Sequence, residues 1–181
     1  MNNLYHISYE KERLDILKLI EIIKKDNWID SSTILVTCSP DYSSFVSQLI
    51  NHKLSHLNNN ELYENLFLEM PYPIMSQVWD REKLEIVSFD TYLKEWVNKY
   101  LTNSLKYLFI DSATIRGRNF SKVKYSINNK VEYKFASLYV EEQSILIPDY
   151  YVEKYNEEEK GELIFTWEND NNPNWKKTKK L

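Results

Sequence analysis

Glycine is nearly missing from this chain, with two in 181 residues, where average usage of roughly 7% would give about a dozen. Turns must then be built from Asn, Asp, Ser and Pro, and each glycine becomes more telling. Cysteine is rarer still. Cys38 is alone, which excludes an internal disulfide and fits a reducing compartment. No run approaches about 18 apolar residues, and Met1-Asn2-Asn3-Leu4-Tyr5-His6 lacks the basic region and apolar core of a secretory leader. The expected protein is soluble, cytoplasmic and free of membrane. Net charge is −4, so no global basic field favours nucleic acid, and any anion site must be local.

What is present alternates. With 43% hydrophobic residues the chain can bury one core, and its length predicts a single domain over 1–181 with a solvated basic tail from about 170. Residues 9–25 carry Leu14, Leu17 and Ile20 beside Ile16, Leu19 and Ile23, a helical period. A β-branched run at 32–37 reads as a strand, Cys38-Ser39-Pro40-Asp41 breaks it, and helical spacing resumes at Phe45. Residues 57–82 read as an irregular excursion. A strand at 84–89 leads to a helix capped by Asp90, and further strands are expected at 106–111, 133–140 and 163–167. Strands alternating with helices predict an α/β fold with a central, mostly parallel sheet flanked by helices and a small hood, and ligands then gather at the strands' carboxyl ends.

The most informative segment is Tyr107-Leu108-Phe109-Ile110-Asp111-Ser112-Ala113-Thr114-Ile115-Arg116-Gly117-Arg118-Asn119-Phe120. An apolar strand ends at an acid, turns through small and hydroxyl residues around a glycine, and enters an amphipathic helix. Such a turn presents backbone N–H groups and the positive end of a helix dipole to a phosphate, with Arg116 and Arg118 adding charge. The plain alternative is a strand–turn–helix corner without a ligand. His52 and His56, at i and i+4, have no third metal ligand nearby and read as surface residues.

In this order, Asp111-Ser112, Thr114-Ile115-Arg116-Gly117-Arg118-Asn119, Pro148-Asp149-Tyr150-Tyr151 and Phe165-Thr166-Trp167-Glu168 resemble the type I phosphoribosyltransferases, most nearly their hypoxanthine and xanthine-guanine branch. The resemblance spans roughly residues 9–169. It implies transfer of phosphoribosyl from phosphoribosyl pyrophosphate to a purine-like base, with Asp111 as the catalytic acid and a ligand of Mg2+. It also implies a 5-phosphate loop over Ser112, Ala113, Thr114, Ile115, Arg116, Gly117, Arg118 and Asn119. The pyrophosphate loop falls on Cys38, Ser39, Pro40 and Asp41, and the base side on Glu141, Tyr150, Tyr151 and Leu163.

Departures from the pattern alter the expected chemistry. Ser112 stands where the family has its second acid, so one carboxylate is lost from the ribose side. Glu141 stands where a lysine reads a purine 6-oxo group, and a carboxylate prefers an N–H donor such as an exocyclic amine. The segment from Thr37 to Ser44 has neither glycine nor a basic residue, and Asp41 would oppose a diphosphate. The alternative function is therefore a module on the same fold that binds a nucleotide or sugar phosphate without turnover. The expected partner is a small molecule, and a homodimer stays open.

Overall fold

The helix predicted at 9–25 forms because its apolar stripe has a partner and its first turn a cap. In the computed structural model, which describes residues 4–38, 40–70, 77–80, 82–127 and 131–165 (side chains of 40–45 excepted), it spans Tyr9–Lys25 as α1. The Ser8 hydroxyl accepts from the Lys11 amide at 3.2 Å. Ile16, Leu19, Ile20 and Ile23 are buried, on the stripe expected of an amphipathic helix.

Before α1 lies β1 (Leu4–His6), and after it come β2 (Thr33–Cys38), α2 (Pro40–Leu54), a 3-10 turn (Ser55–Asn58), β3 (Asn65–Leu68), β4 (Gln77–Asp80), β5 (Glu85–Ser88) and α3 (Phe89–Tyr100). The chain continues through β6 (Lys106–Thr114), α4 (Arg118–Ile127), β7 (Glu132–Glu141), β8 (Tyr150–Tyr155), α5 (Glu157–Lys160) and β9 (Glu162–Ile164). The central sheet has the order β3-β2-β6-β7-β8, and every pairing in it is parallel. Its middle strands are buried on both sides, as a parallel sheet between two helix layers requires. One face packs Leu35, Leu108, Ile110 and Ala136 against α1 and α2. The other packs Val36, Cys38, Tyr107, Phe109 and Phe135 against α3 and α4.

Several sequence expectations need correction. The excursion at 57–82 hides β3, an edge strand of the main sheet, whose pattern of Asn-Leu-Phe-Leu is too short to stand out. The strand at 84–89 is real but pairs antiparallel with β4 as a separate hairpin. Ser88, not Asp90, caps α3, its hydroxyl accepting from the Thr91 amide at 3.2 Å. The closing strand β9 leaves the main sheet and pairs parallel with β1. Pro71-Tyr72-Pro73, Thr166, Trp167, Glu168 and the basic tail lie outside the described residues.

Candidate functional site

Strand β6 does not end at Asp111. It stays paired with β7 through Ala113↔Tyr139 and Thr114↔Val140, because Thr114 is buried and its hydroxyl donates to that of Ser137 at 3.1 Å. The expected eight-residue phosphate loop is thus divided. Ser112, Ala113 and Thr114 belong to the strand, and Arg118 and Asn119 open α4. Only Ile115, Arg116 and Gly117 form the turn between them. Ser112 is 7% exposed, so its side chain is packed rather than presented.

That turn is tight and left-handed. Arg116 has φ +57° and Gly117 φ +69°, and the Gly117 amide donates to the Ile115 carbonyl at 2.7 Å. Left-handed backbone is cheap for glycine and costs an arginine about 1 kcal/mol or more. The first helical bond runs from the Ser121 amide to the Gly117 carbonyl at 3.0 Å, so the amides of Arg118, Asn119 and Phe120 lie at the open end of α4. Arg116 and Arg118 are exposed. Neither has an ion pair or a side-chain hydrogen bond among the described residues. Two guanidiniums therefore flank the positive end of a helix dipole with no carboxylate among the described residues paired to them.

Asp111 is half-buried, and its carboxylate accepts from the Ser112 amide at 2.8 Å. On the same face of the sheet, at the end of β2, Cys38 is fully buried. Burial pushes its thiol well up, and the charge of Asp111 pushes it further, which makes it an inert, protonated neighbour rather than a nucleophile. The expected pyrophosphate loop is corrected accordingly. Cys38 ends β2, while Pro40 and Asp41 start α2, where a fixed proline φ suits the first helical position. Ser39 lies outside the described residues.

The four base-side residues separate. Glu141 is buried at the carboxyl end of β7, opposite Tyr155. Tyr151 lies level with Ser137 and, one strand further, Asp111; strand alternation puts it on the face opposite Tyr150, and so on that of Asp111. Tyr150 is no part of this group. Its hydroxyl donates to Asp26 at 2.5 Å and accepts from Lys134 at 3.0 Å, both toward the amino end of the sheet. Leu163 is 4% exposed in the core beside Tyr5, so no face of it is left to stack on a base.

Sequence reasoning missed Ser144–Leu146. A Cβ at Gly117 would come within 2.5 Å of the Ser144 Oγ and 2.6 Å of the Leu146 nitrogen, and the Ile145 amide donates to the Arg116 carbonyl at 3.1 Å. The close approach that Gly117 permits is thus to another loop of the same chain. No local signal pointed there. A shallow depression of about 490 Å³ lined by Ile22, Lys25, Asp26, Lys134, Asp149 and Tyr150 lies at the other end of the sheet. Lys134 and Asp26 there already engage one another, so concavity there does not mark the chemistry.

No protein-family model matches the sequence, and no curated protein matches it. Solved structures do. A xanthine-guanine-hypoxanthine phosphoribosyltransferase of Helicobacter pylori matches with TM-score 0.62 at 17% identity, covering 100% of both chains. A purine phosphoribosyltransferase of Pyrococcus horikoshii matches with TM-score 0.60 at 12% identity, covering 92% of this chain and 95% of that one. A hypothetical protein of Neisseria gonorrhoeae with bound ppGpp matches with TM-score 0.60 at 10% identity, over 98% and 96% of the two chains. The parallel order β3-β2-β6-β7-β8, the helices on both faces and these matches together give the chain a divergent fold of the type I phosphoribosyltransferase kind.

Proposed function

We propose that this chain binds a 5-phosphorylated ribose at the β6–α4 turn and transfers the phosphoribosyl group from its pyrophosphate donor to a purine-like base. One observation carries this reading. A half-buried Asp111 on β6 precedes the turn into α4, where Arg116 and Arg118 are exposed and, among the described residues, have no ion pair or side-chain hydrogen bond. The 5-phosphate would take the amides of Arg118 and Asn119 and charged hydrogen bonds from Arg116 and Arg118. Asp111 would then face the sugar, where its fixed negative charge favours the positive charge that develops as pyrophosphate leaves. Glu141 and Tyr151 are the proposed base-side residues, the carboxylate accepting from an N–H of the base and the ring offering a stacking face.

Among the described residues no group of three or more His, Cys, Asp or Glu could hold a metal ion. A lone carboxylate still fits magnesium in its usual mode, in which substrate phosphates and water supply most of the oxygens. Mg2+ would arrive with the diphosphate, Asp111 being the protein carboxylate toward it, and would neutralise charge on the leaving group.

A second reading is nucleotide binding without turnover. It is favoured by the burial of Ser112, which withdraws from the ribose side even the hydroxyl that replaces the family's second acid. The ppGpp-bound neighbour supports a nucleotide as ligand in that case. Thermal shift with phosphoribosyl pyrophosphate, nucleoside monophosphates and free bases, followed by a pyrophosphate-release assay, separates the two. A ligand at 100 times its Kd adds about 2.7 kcal/mol of stability. Base-dependent pyrophosphate release establishes the transferase, and tight monophosphate binding with no product establishes the binder. No stabilisation by any of these ligands would remove both.

A further inference from the structure

We infer that Ser144–Leu146 is the positioning element of the phosphate turn, holding Arg116 in its left-handed conformation and so aiming its guanidinium. This rests on the proposal that the turn binds phosphate. A non-glycine residue at φ +57° persists only where its surroundings over-determine it; besides the Gly117–Ile115 bond within the turn, the surroundings here come from one segment. The Ile145 amide donates to the Arg116 carbonyl at 3.1 Å, fixing the peptide that follows Arg116. The next residue, Gly117, has no room for a methyl group, with the Leu146 nitrogen 2.6 Å and the Leu146 oxygen 3.0 Å from where a Cβ would sit. Those are backbone atoms, which cannot swing away as a side chain would.

The segment is itself braced. Its start is tied to β7 by the Ser144 amide, which donates to the Glu141 carbonyl at 2.9 Å. Its middle is closed by the Ser144 hydroxyl, which donates to the Leu146 carbonyl at 2.7 Å. Its end is anchored by the Leu146 side chain, packed against the core beneath α3 and α4. Because the brace begins at Glu141, one short segment links the base side of the site to the phosphate side. Ser144 touches no ligand in this scheme and acts through Arg116.

Ser144→Ala is the informative variant, since it removes the closing hydroxyl and leaves the fold's core intact. Amide hydrogen exchange read by NMR needs no ligand. Exchange at Ile145 and Gly117 should quicken about fivefold or more, the worth of one hydrogen bond, while amides in the middle of β6 and β7 stay protected. Unchanged exchange at Ile145 and Gly117 overturns the brace. Binding of ribose 5-phosphate then tests the positioning in a double-mutant cycle. Ser144→Ala should weaken it about fivefold, and the double variant with Arg116→Ala should bind no worse than Arg116→Ala alone; fully additive losses overturn action through Arg116. Gly117→Ala gives a second route, with faster exchange at Ile145 and Leu146 expected and unchanged exchange counting against the seat. If ribose 5-phosphate fails to bind the unaltered protein, the phosphate reading and the ligand-directed role fall together, and the exchange data alone decide whether the brace exists.

Discussion

The two ends of the central sheet treat charge in opposite ways. At the amino end, Lys106 pairs with Asp30 at 2.6 Å and lies 5.6 Å from the Trp28 ring. Lys134 pairs with Asp26 and lies between the rings of Trp28, at 5.3 Å, and Tyr150, at 5.0 Å. The Trp28 indole donates to Glu132 at 2.5 Å. Each of these charges has a partner, so this end is tied together by its own side chains. At the carboxyl end, Arg116 and Arg118 have no such partner among the described residues, and two consecutive residues are left-handed. Left-handed backbone occurs at both ends, at Asn27 as at Arg116, so it is uncompensated charge at one end, and satisfied pairs at the other, that separates the end proposed for a ligand from the end tied together by its own side chains.

The sharpest break of this contrast is Asp111→Asn. In a working transferase it should lower kcat about 10²- to 10³-fold, the usual cost of removing one group that stabilises transition-state charge. Ribose 5-phosphate affinity should change little, because the ground state carries no such charge. Pyrophosphate release and calorimetry measure the two quantities; an equal loss in both would make Asp111 a binding residue only. Next in size is Ser112→Asp, which would supply the acid that the family pattern has. Since Ser112 is 7% exposed, the new carboxylate would be buried and should destabilise the fold by about 3 kcal/mol. A urea midpoint that stays put would show instead that position 112 opens to solvent.

The arginines and the lysines should then part company. Arg116→Ala and Arg118→Ala should leave the thermal midpoint nearly unchanged and weaken phosphate binding by about 1.5 to 3 kcal/mol for each charged hydrogen bond lost. Lys134→Ala should do the reverse, lowering the midpoint with no effect on binding. A binding loss in Lys134→Ala as large as that in Arg116→Ala would erase the division between the two ends.

Much of this was legible in the sequence, for local reasons. The period of α1 and the unit from β6 to α4 depend on neighbours in the chain, so Leu14 to Ile23 and the apolar run before Gly117 announce them. What was not legible depends on distant segments. Nothing in Asn65–Leu68 says that it pairs with β2, and nothing in Leu163 says that it packs beside Tyr5. Gly117 is the instructive case. Its place in a turn before a helix was expected, but the atoms that forbid a side chain there belong to Ser144 and Leu146, which no pattern around the glycine could reveal. Likewise, Tyr150 was assigned to a base by its motif, yet Asp26 and Lys134 hold its hydroxyl.

The smallest expected effect tests the amino end by pH. The Lys106 ammonium beside Asp30, with the Ser32 hydroxyl also donating to it, holds the Asp30 carboxyl down at about 2. An unfolded aspartate titrates near 3.9. A carboxyl whose pKa is depressed by folding stabilises the protein above the unfolded value, and that contribution disappears as pH falls from about 4 to about 2. The Asp30 side chain is 51% exposed, so solvent screening keeps the contribution below about 1 kcal/mol, well short of what the shift alone would suggest. Asp30→Asn should therefore flatten the acid limb of stability between pH 4 and 2 by a small, salt-sensitive amount, read from urea midpoints at several pH values. At pH 7 the same variant should bind ribose 5-phosphate as the unaltered protein does, because the pair sits at the end of the sheet remote from the turn. An altered affinity would mean that the two ends are coupled, and the separation between a stabilising end and a ligand-binding end would no longer hold.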